Sequence, residues 1–107
     1  MYKPKSTRDI YTESFSINSG SLAKQLAEQS VPIAEVKNII EETGKKYNEN
    51  LNTILEECNK DMMALEQVPS PLKLFIDCLA YTHNSLDLSP QSCALIKQYI
   101  SAWEDWM

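Results

Sequence analysis

From residue 32 onward the apolar positions fall into one long helical stripe. Ile33, Val36, Ile40, Thr43, Tyr47, Leu51, Ile54, Cys58, Met62 and Leu65 follow one another at steps of three and four. That spacing puts side chains on one face of an α-helix. The opposite face is polar, with Glu35, Asn38, Glu42, Lys45, Glu49, Asn52, Glu56 and Lys60. The pattern predicts a helix from Pro32 to about Gln67, about 50 Å long at 1.5 Å per residue. Glu41–Lys45, Glu42–Lys46 and Glu56–Lys60 stand in the favoured i,i+4 order, each pair worth about 0.2–0.5 kcal/mol. Gly44 interrupts good helix formers at roughly 1 kcal/mol against alanine and marks the place for a bend or break.

Three shorter helices are expected around it. Residues 21–30 carry Leu22, Ala23, Leu26 and Ala27 on one face, with Ser19 or Ser21 as cap. Val31-Pro32 separates them from the long helix. Ser70-Pro71 and Ser89-Pro90 each give a capping serine followed by proline in the first helical position. The third helix then runs to about Thr82 with Leu72, Phe75, Ile76, Leu79 and Ala80 inward. Leu74 and Cys78 widen that face, which makes it the most buried helix. His83-Asn84-Ser85 ends it, and Leu86 and Leu88 plug the core from the loop. The last helix carries Cys93, Ile96, Tyr99, Ile100, Trp103 and Met107 on one face and runs to the C-terminus. Residues 1–20 lack helical periodicity and read as a flexible or partner-docked arm. Phe15 and Ile17 are its candidate anchors. Residues 21–107 form the helical domain.

The fold class is therefore all-α, a small bundle or long hairpin of about four helices with a flexible N-terminal arm. A third helix of this length cannot cover the whole stripe of residues 32–67. Either the long helix bends at Gly44 and folds into a compact bundle, or the uncovered stripe pairs with a second chain.

Composition narrows the function. The chain of 107 residues has a net charge of −5 and a pI near 4.8, and the excess of acids lies in residues 21–68. Nucleic-acid binding needs clustered Lys and Arg to release counterions, so it is disfavoured. An acidic middle segment suits a basic or apolar partner surface. Cys58, Cys78 and Cys93 are odd in number and widely spaced, with neither CxxC nor a Cys/His pair. They read as core residues in a reducing compartment, and the expected location is cytoplasmic. No secretory leader and no membrane span are expected.

Catalytic chemistry finds little footing, and neither cofactor nor metal is expected. His83, the one histidine, stands at a helix end without the Lys and Gly that follow a phosphotransfer histidine. Glu41-Glu42 and Glu56-Glu57 are adjacent, hence about 100° apart on a helix and among lysines, unlike paired catalytic carboxylates. No Glu-x-x-His or G-x-S-x-G pattern is present. Residues 22–40 have helix-turn-helix spacing, but the reading helix ends in Glu41 and Glu42 and the turn lacks glycine.

By elimination, the expected function is a non-enzymatic protein-binding module: an inhibitor, immunity-type protein, adaptor or secretion chaperone. The alternative is a small helix-turn-helix regulator using residues 22–40. Candidate contact residues are Tyr47, Leu51 and Ile54 on the stripe, and Glu42, Glu49 and Glu56 on the acidic face. Trp103 and Trp106, three apart at the C-terminus, are the others, because Trp is enriched where interfaces hold their energy. The partner is another protein or a second copy of the chain.

Overall fold

The structure, a computed structural model, describes residues 6–60 and 68–105. These form four helices and no strand: α1 (Thr7–Glu28), α2 (Ile33–Lys60), α3 (Pro71–Ser85) and α4 (Pro90–Glu104). The all-α small bundle expected from the periodicity is what the chain adopts.

The largest departure from the sequence reading is at the N-terminus. Residues 7–20, read there as part of a flexible or partner-docked arm, are the first fourteen residues of the 22-residue α1, which crosses the boundary placed at residue 20. The cap is Ser6, not Ser19 or Ser21. Its side chain accepts the Asp9 amide at 3.1 Å, and Asp9 adds negative charge where the helix dipole favours it. The inward row of α1 is Tyr11, Phe15, Leu22 and Leu26, with the buried Ser19 filling the turn between. A polar residue in the middle of the row hid the period. Ser19 is tolerated because its hydroxyl donates to the Ser16 carbonyl at 3.3 Å.

α1 ends in a Schellman turn. The Ser30 amide donates to the Ala27 carbonyl at 3.0 Å and the Val31 amide to the Leu26 carbonyl at 3.1 Å. Ser30 takes the left-handed conformation this turn requires, at φ 64°, a place that glycine usually fills.

α2 runs through Gly44 without a break. Its 28 residues, about 42 Å at 1.5 Å per residue, match the 43 Å long axis of the molecule. The helix does not fold back on itself, and its stripe from Val36 to Leu51 is not left wet. Val36, Thr43, Tyr47 and Leu51 are buried and Ile40 is half-buried, because α1 and α3 both pack along α2. The cover that the sequence reading could not find is the N-terminal half of α1. The stripe also drifts, as a 3.6-residue period must against steps of three and four. Ile39 is buried while Ile33, at the start of α2, is 77% exposed. Met62 and Leu65 lie outside the described residues.

α3 is the central helix and the most buried, with Leu74, Phe75, Ile76, Cys78, Leu79 and Thr82 inside. The Ser-Pro starts hold: Ser70 accepts the Lys73 amide and Ser89 the Ser92 amide, with Pro71 and Pro90 in the first turns. His83-Asn84-Ser85 does not break α3. The helix continues to Ser85, and the Leu86 amide closes it on the Thr82 carbonyl at 3.0 Å. α4 packs on α3 and, more lightly, on α1.

Rings and hydroxyls bind the layers. Phe15 lies 4.9 Å from Tyr47 and 5.7 Å from Phe75, between centroids. Phe75 meets Tyr99 edge-on at 6.2 Å, and Tyr99 meets Trp103 likewise at 6.2 Å. Such pairs add about 0.5–1.5 kcal/mol each to the burial itself.

Candidate protein-contact face

The polar side of α2 and one residue of α3 form the most distinctive surface among the described residues. On α3, Lys73, Asp77 and Tyr81 recur every four residues and so share a stripe pointing away from the core. Lys73 Nζ lies 3.4 Å from Asp77 Oδ1. The third position of this polar stripe carries a tyrosine that is 53% exposed.

Tyr81 borders a shallow hollow of about 140 Å³ lined by Glu42, Lys45, Lys46 and Glu49 of α2. Lys46 Nζ sits 4.4 Å from the Tyr81 ring centroid and 3.9 Å from Glu49 Oε2. The ring face attracts the ammonium through its quadrupole. Lys45 Nζ lies 3.4 Å from Glu42 Oε1. The lysines thus pair with glutamates three residues away, not with the i,i+4 partners expected of Glu41 and Glu42. Lys46 turns to where a ring and a carboxylate can both be reached. These surface pairs contribute little to stability, roughly 0–1 kcal/mol each.

The candidate residues separate cleanly. Glu42 and Glu49 flank the hollow. Glu56 is exposed further along α2. Tyr47 and Leu51 are core, each 1% exposed, so they are corrected from contact residues to packing residues. The Tyr47 hydroxyl donates to the Tyr11 carbonyl at 2.6 Å, and burial pushes its pKa well above the ordinary tyrosine value. Ile54 is half-buried at the margin of the core. Trp103 is half-buried at the end of the aromatic row, and Trp106 lies outside the described residues. Tyr81 and Lys46 were not singled out from the sequence. The available signal was an aromatic on the Lys73–Asp77 stripe, where the helical period calls for a polar residue.

The corner at residues 22–40 is two helices joined by a short turn. Its would-be reading helix is the first part of the long α2. Glu35 there is engaged within the fold, accepting the Ser89 amide at 2.8 Å. Among the described residues no group of three or more His, Cys, Asp or Glu side chains is placed to hold a metal ion, and no helix is long and apolar enough to cross a membrane. His83 Nδ1 lies 3.4 Å from Asn84 Oδ1, and its Nε2 is buried with no hydrogen-bond partner among the described residues.

Comparison with protein-family models, with curated proteins and with solved structures finds no match to this chain.

Proposed function

We propose that the chain is a non-enzymatic protein-binding module, of the inhibitor, immunity, adaptor or chaperone kind. Its contact face is the outer side of α2 from Glu42 to Glu56 together with Tyr81 of α3. The observation that carries this reading is Tyr81, a large aromatic 53% exposed on a stripe that is otherwise charged. Tyrosine at the centre of an interface supplies broad contact area with few rotatable bonds, and it is enriched among residues that dominate binding energy.

The electrostatic setting favours a basic partner surface. Between residues 41 and 57, α2 sets five glutamates against Lys45 and Lys46, and the chain as a whole carries −5. Such a field steers a basic partner and raises its association rate. Lys46 already lies against the Tyr81 ring, so a partner Arg or Lys on that ring would be in reach of Glu42 and Glu49. The unpaired thiols, with Cys78 buried and Cys58 and Cys93 half-buried, suit a reducing compartment such as the cytoplasm.

The test compares face variants with a control. Tyr81→Ala and the pair Glu42→Lys, Glu49→Lys change the face; Lys24→Gln changes the outer side of α1. A partner recovered from the native host is purified and titrated against each protein. Sedimentation of the chain alone reads association of two copies. Tyr81→Ala is expected to raise Kd roughly 30-fold, the scale of a hot-spot residue at about 2 kcal/mol, while melting stays as in the parent and Lys24→Gln binds normally. Unchanged affinity in both face variants rejects this face.

A further inference from the structure

We infer that α4 opens as a unit from a three-helix core of α1–α3, and that the Glu35 carboxylate of α2 is the latch that keeps it closed. A helix has unsatisfied amides and partial positive charge at its start and the reverse at its end. α4 has no acidic residue in its first turn and no basic residue in its last. Glu104 and Asp105 stand at its C-terminal end, where negative charge opposes the dipole. Its own sequence therefore supplies a serine cap and no favourable end charge.

The missing charge comes from another helix. Glu35 Oε1 accepts the Ser89 amide at 2.8 Å, and Glu35 Oε2 accepts the Ser89 hydroxyl at 3.3 Å. Ser89 Oγ in turn accepts the Ser92 amide at 3.3 Å. Both oxygens of the Glu35 carboxylate are thus committed to the start of α4. The two helices do not otherwise pack against each other. One further polar link, Gln91 Nε2 to the Gln29 carbonyl, ties the same end of α4 to the α1–α2 corner.

The apolar hold of α4 is smaller than that of α3. α4 fully buries two large side chains, Ile96 and Tyr99, and half-buries Leu95, Ile100 and Trp103, whereas α3 fully buries Leu74, Phe75, Ile76, Cys78 and Leu79. The far end is fastened by the Tyr99 hydroxyl, which donates to the Asn18 carbonyl at the long distance of 3.4 Å and also meets Ser21 of α1, with Trp103 of the same helix against the Tyr99 ring. Segments with little buried apolar surface and few long-range links open at lower free energy than the global transition. Opening α4 separates Tyr99 from Phe75 and uncovers that side of α3.

Hydrogen exchange of the full chain under native conditions tests this, with amides resolved by helix. α4 amides are expected to share one opening rate, faster than that of the slowest amides of α2 and α3. Glu35→Ala removes a charged acceptor from two donors, so α4 exchange rises about tenfold or more, and the slowest α2 and α3 amides, which open only by global unfolding that also breaks this latch, rise by no more than the same factor and stay slower than α4. Glu35→Gln keeps the shape and loses the charge, and gives an intermediate rise. α4 amides as protected as those of α2 and α3 in the parent chain overturn the inference. So does a Glu35→Ala variant whose α4 amides exchange no faster than those of the parent.

Discussion

Gly44 is the seat of Phe15: a Cβ added at Gly44 would lie 3.2 Å from Phe15 Cζ. Glycine in mid-helix weakens α2 on its own, and here it lets the ring of α1 lie against the α2 backbone. The only other glycine, Gly20 in α1, has nothing within 4 Å of such a Cβ. Gly20→Ala is therefore expected to stabilise the chain by up to about 1 kcal/mol through helix propensity alone. Gly44→Ala gains less, because Phe15 must move by a few tenths of an ångström. In a Phe15→Ala background the obstruction is gone and Gly44→Ala recovers the full gain. Denaturant titration of the four proteins checks the coupling. Equal effects of Gly44→Ala in both backgrounds would show that Phe15 does not sit on Gly44.

Thr43 and Thr82 form a buried pair with unequal roles. Thr43 Oγ1 donates to Thr82 Oγ1 at 2.9 Å, and Thr82 Oγ1 donates to the Cys78 carbonyl at 3.1 Å. Thr43→Val leaves the Thr82 donor satisfied. Thr82→Val strands the Thr43 hydroxyl in the core, at about 1–3 kcal/mol for an unsatisfied buried group. Thr82→Val should be the costlier single change, and the double valine variant should cost less than the two singles added. Chemical denaturation of the three variants measures this, and an additive result rejects the pairing.

Burial pushes the Cys78 thiol up to about 11, outweighing the Asn50 amide that donates to its sulfur at 3.5 Å. Folding thus favours the protonated thiol. Between about pH 9, where an unfolded thiol loses its proton, and pH 11, the unfolded chain binds fewer protons than the folded one. Stability should fall as pH rises through that window. Tyr11, Tyr47 and Tyr99, all raised by burial, extend the loss to higher pH. Urea midpoints from pH 8 to 11 should slope downward, less steeply in Cys78→Ala. At pH 8 a thiol reagent should modify Cys58 and Cys93, both half-buried, well before Cys78.

Removal of residues 1–20 distinguishes an arm from a structural helix. It deletes Tyr11 and Phe15 from the face of α2, and with them the hydrogen bond from Tyr47 to the Tyr11 carbonyl. Burial of each large aromatic is worth about 2–3 kcal/mol, against a total of about 5–15 kcal/mol for a domain. The truncated chain is expected to unfold or self-associate, as read by circular dichroism and sedimentation. Leu51→Asp should unfold the full chain for the same reason. A truncated chain that melts like the parent and stays monomeric would restore the arm.

Local signals determined the helical class, the two Ser-Pro starts, and the inward faces of α2, α3 and α4, because caps and a 3.6-residue period act over neighbouring residues. The start of α1 was also written there, in Ser6 and Asp9 three apart, but the polar stretch around Ser19 and Gly20 concealed its period. Only tertiary structure decided that α1 covers the α2 stripe, since covering depends on which helices meet and not on the stripe itself. The same holds for the contact face: Tyr81 is far in sequence from Glu42, Lys46 and Glu49, and the packing of α3 on α2 brings them together. It holds again for Glu35, whose charge serves a helix that begins 55 positions later.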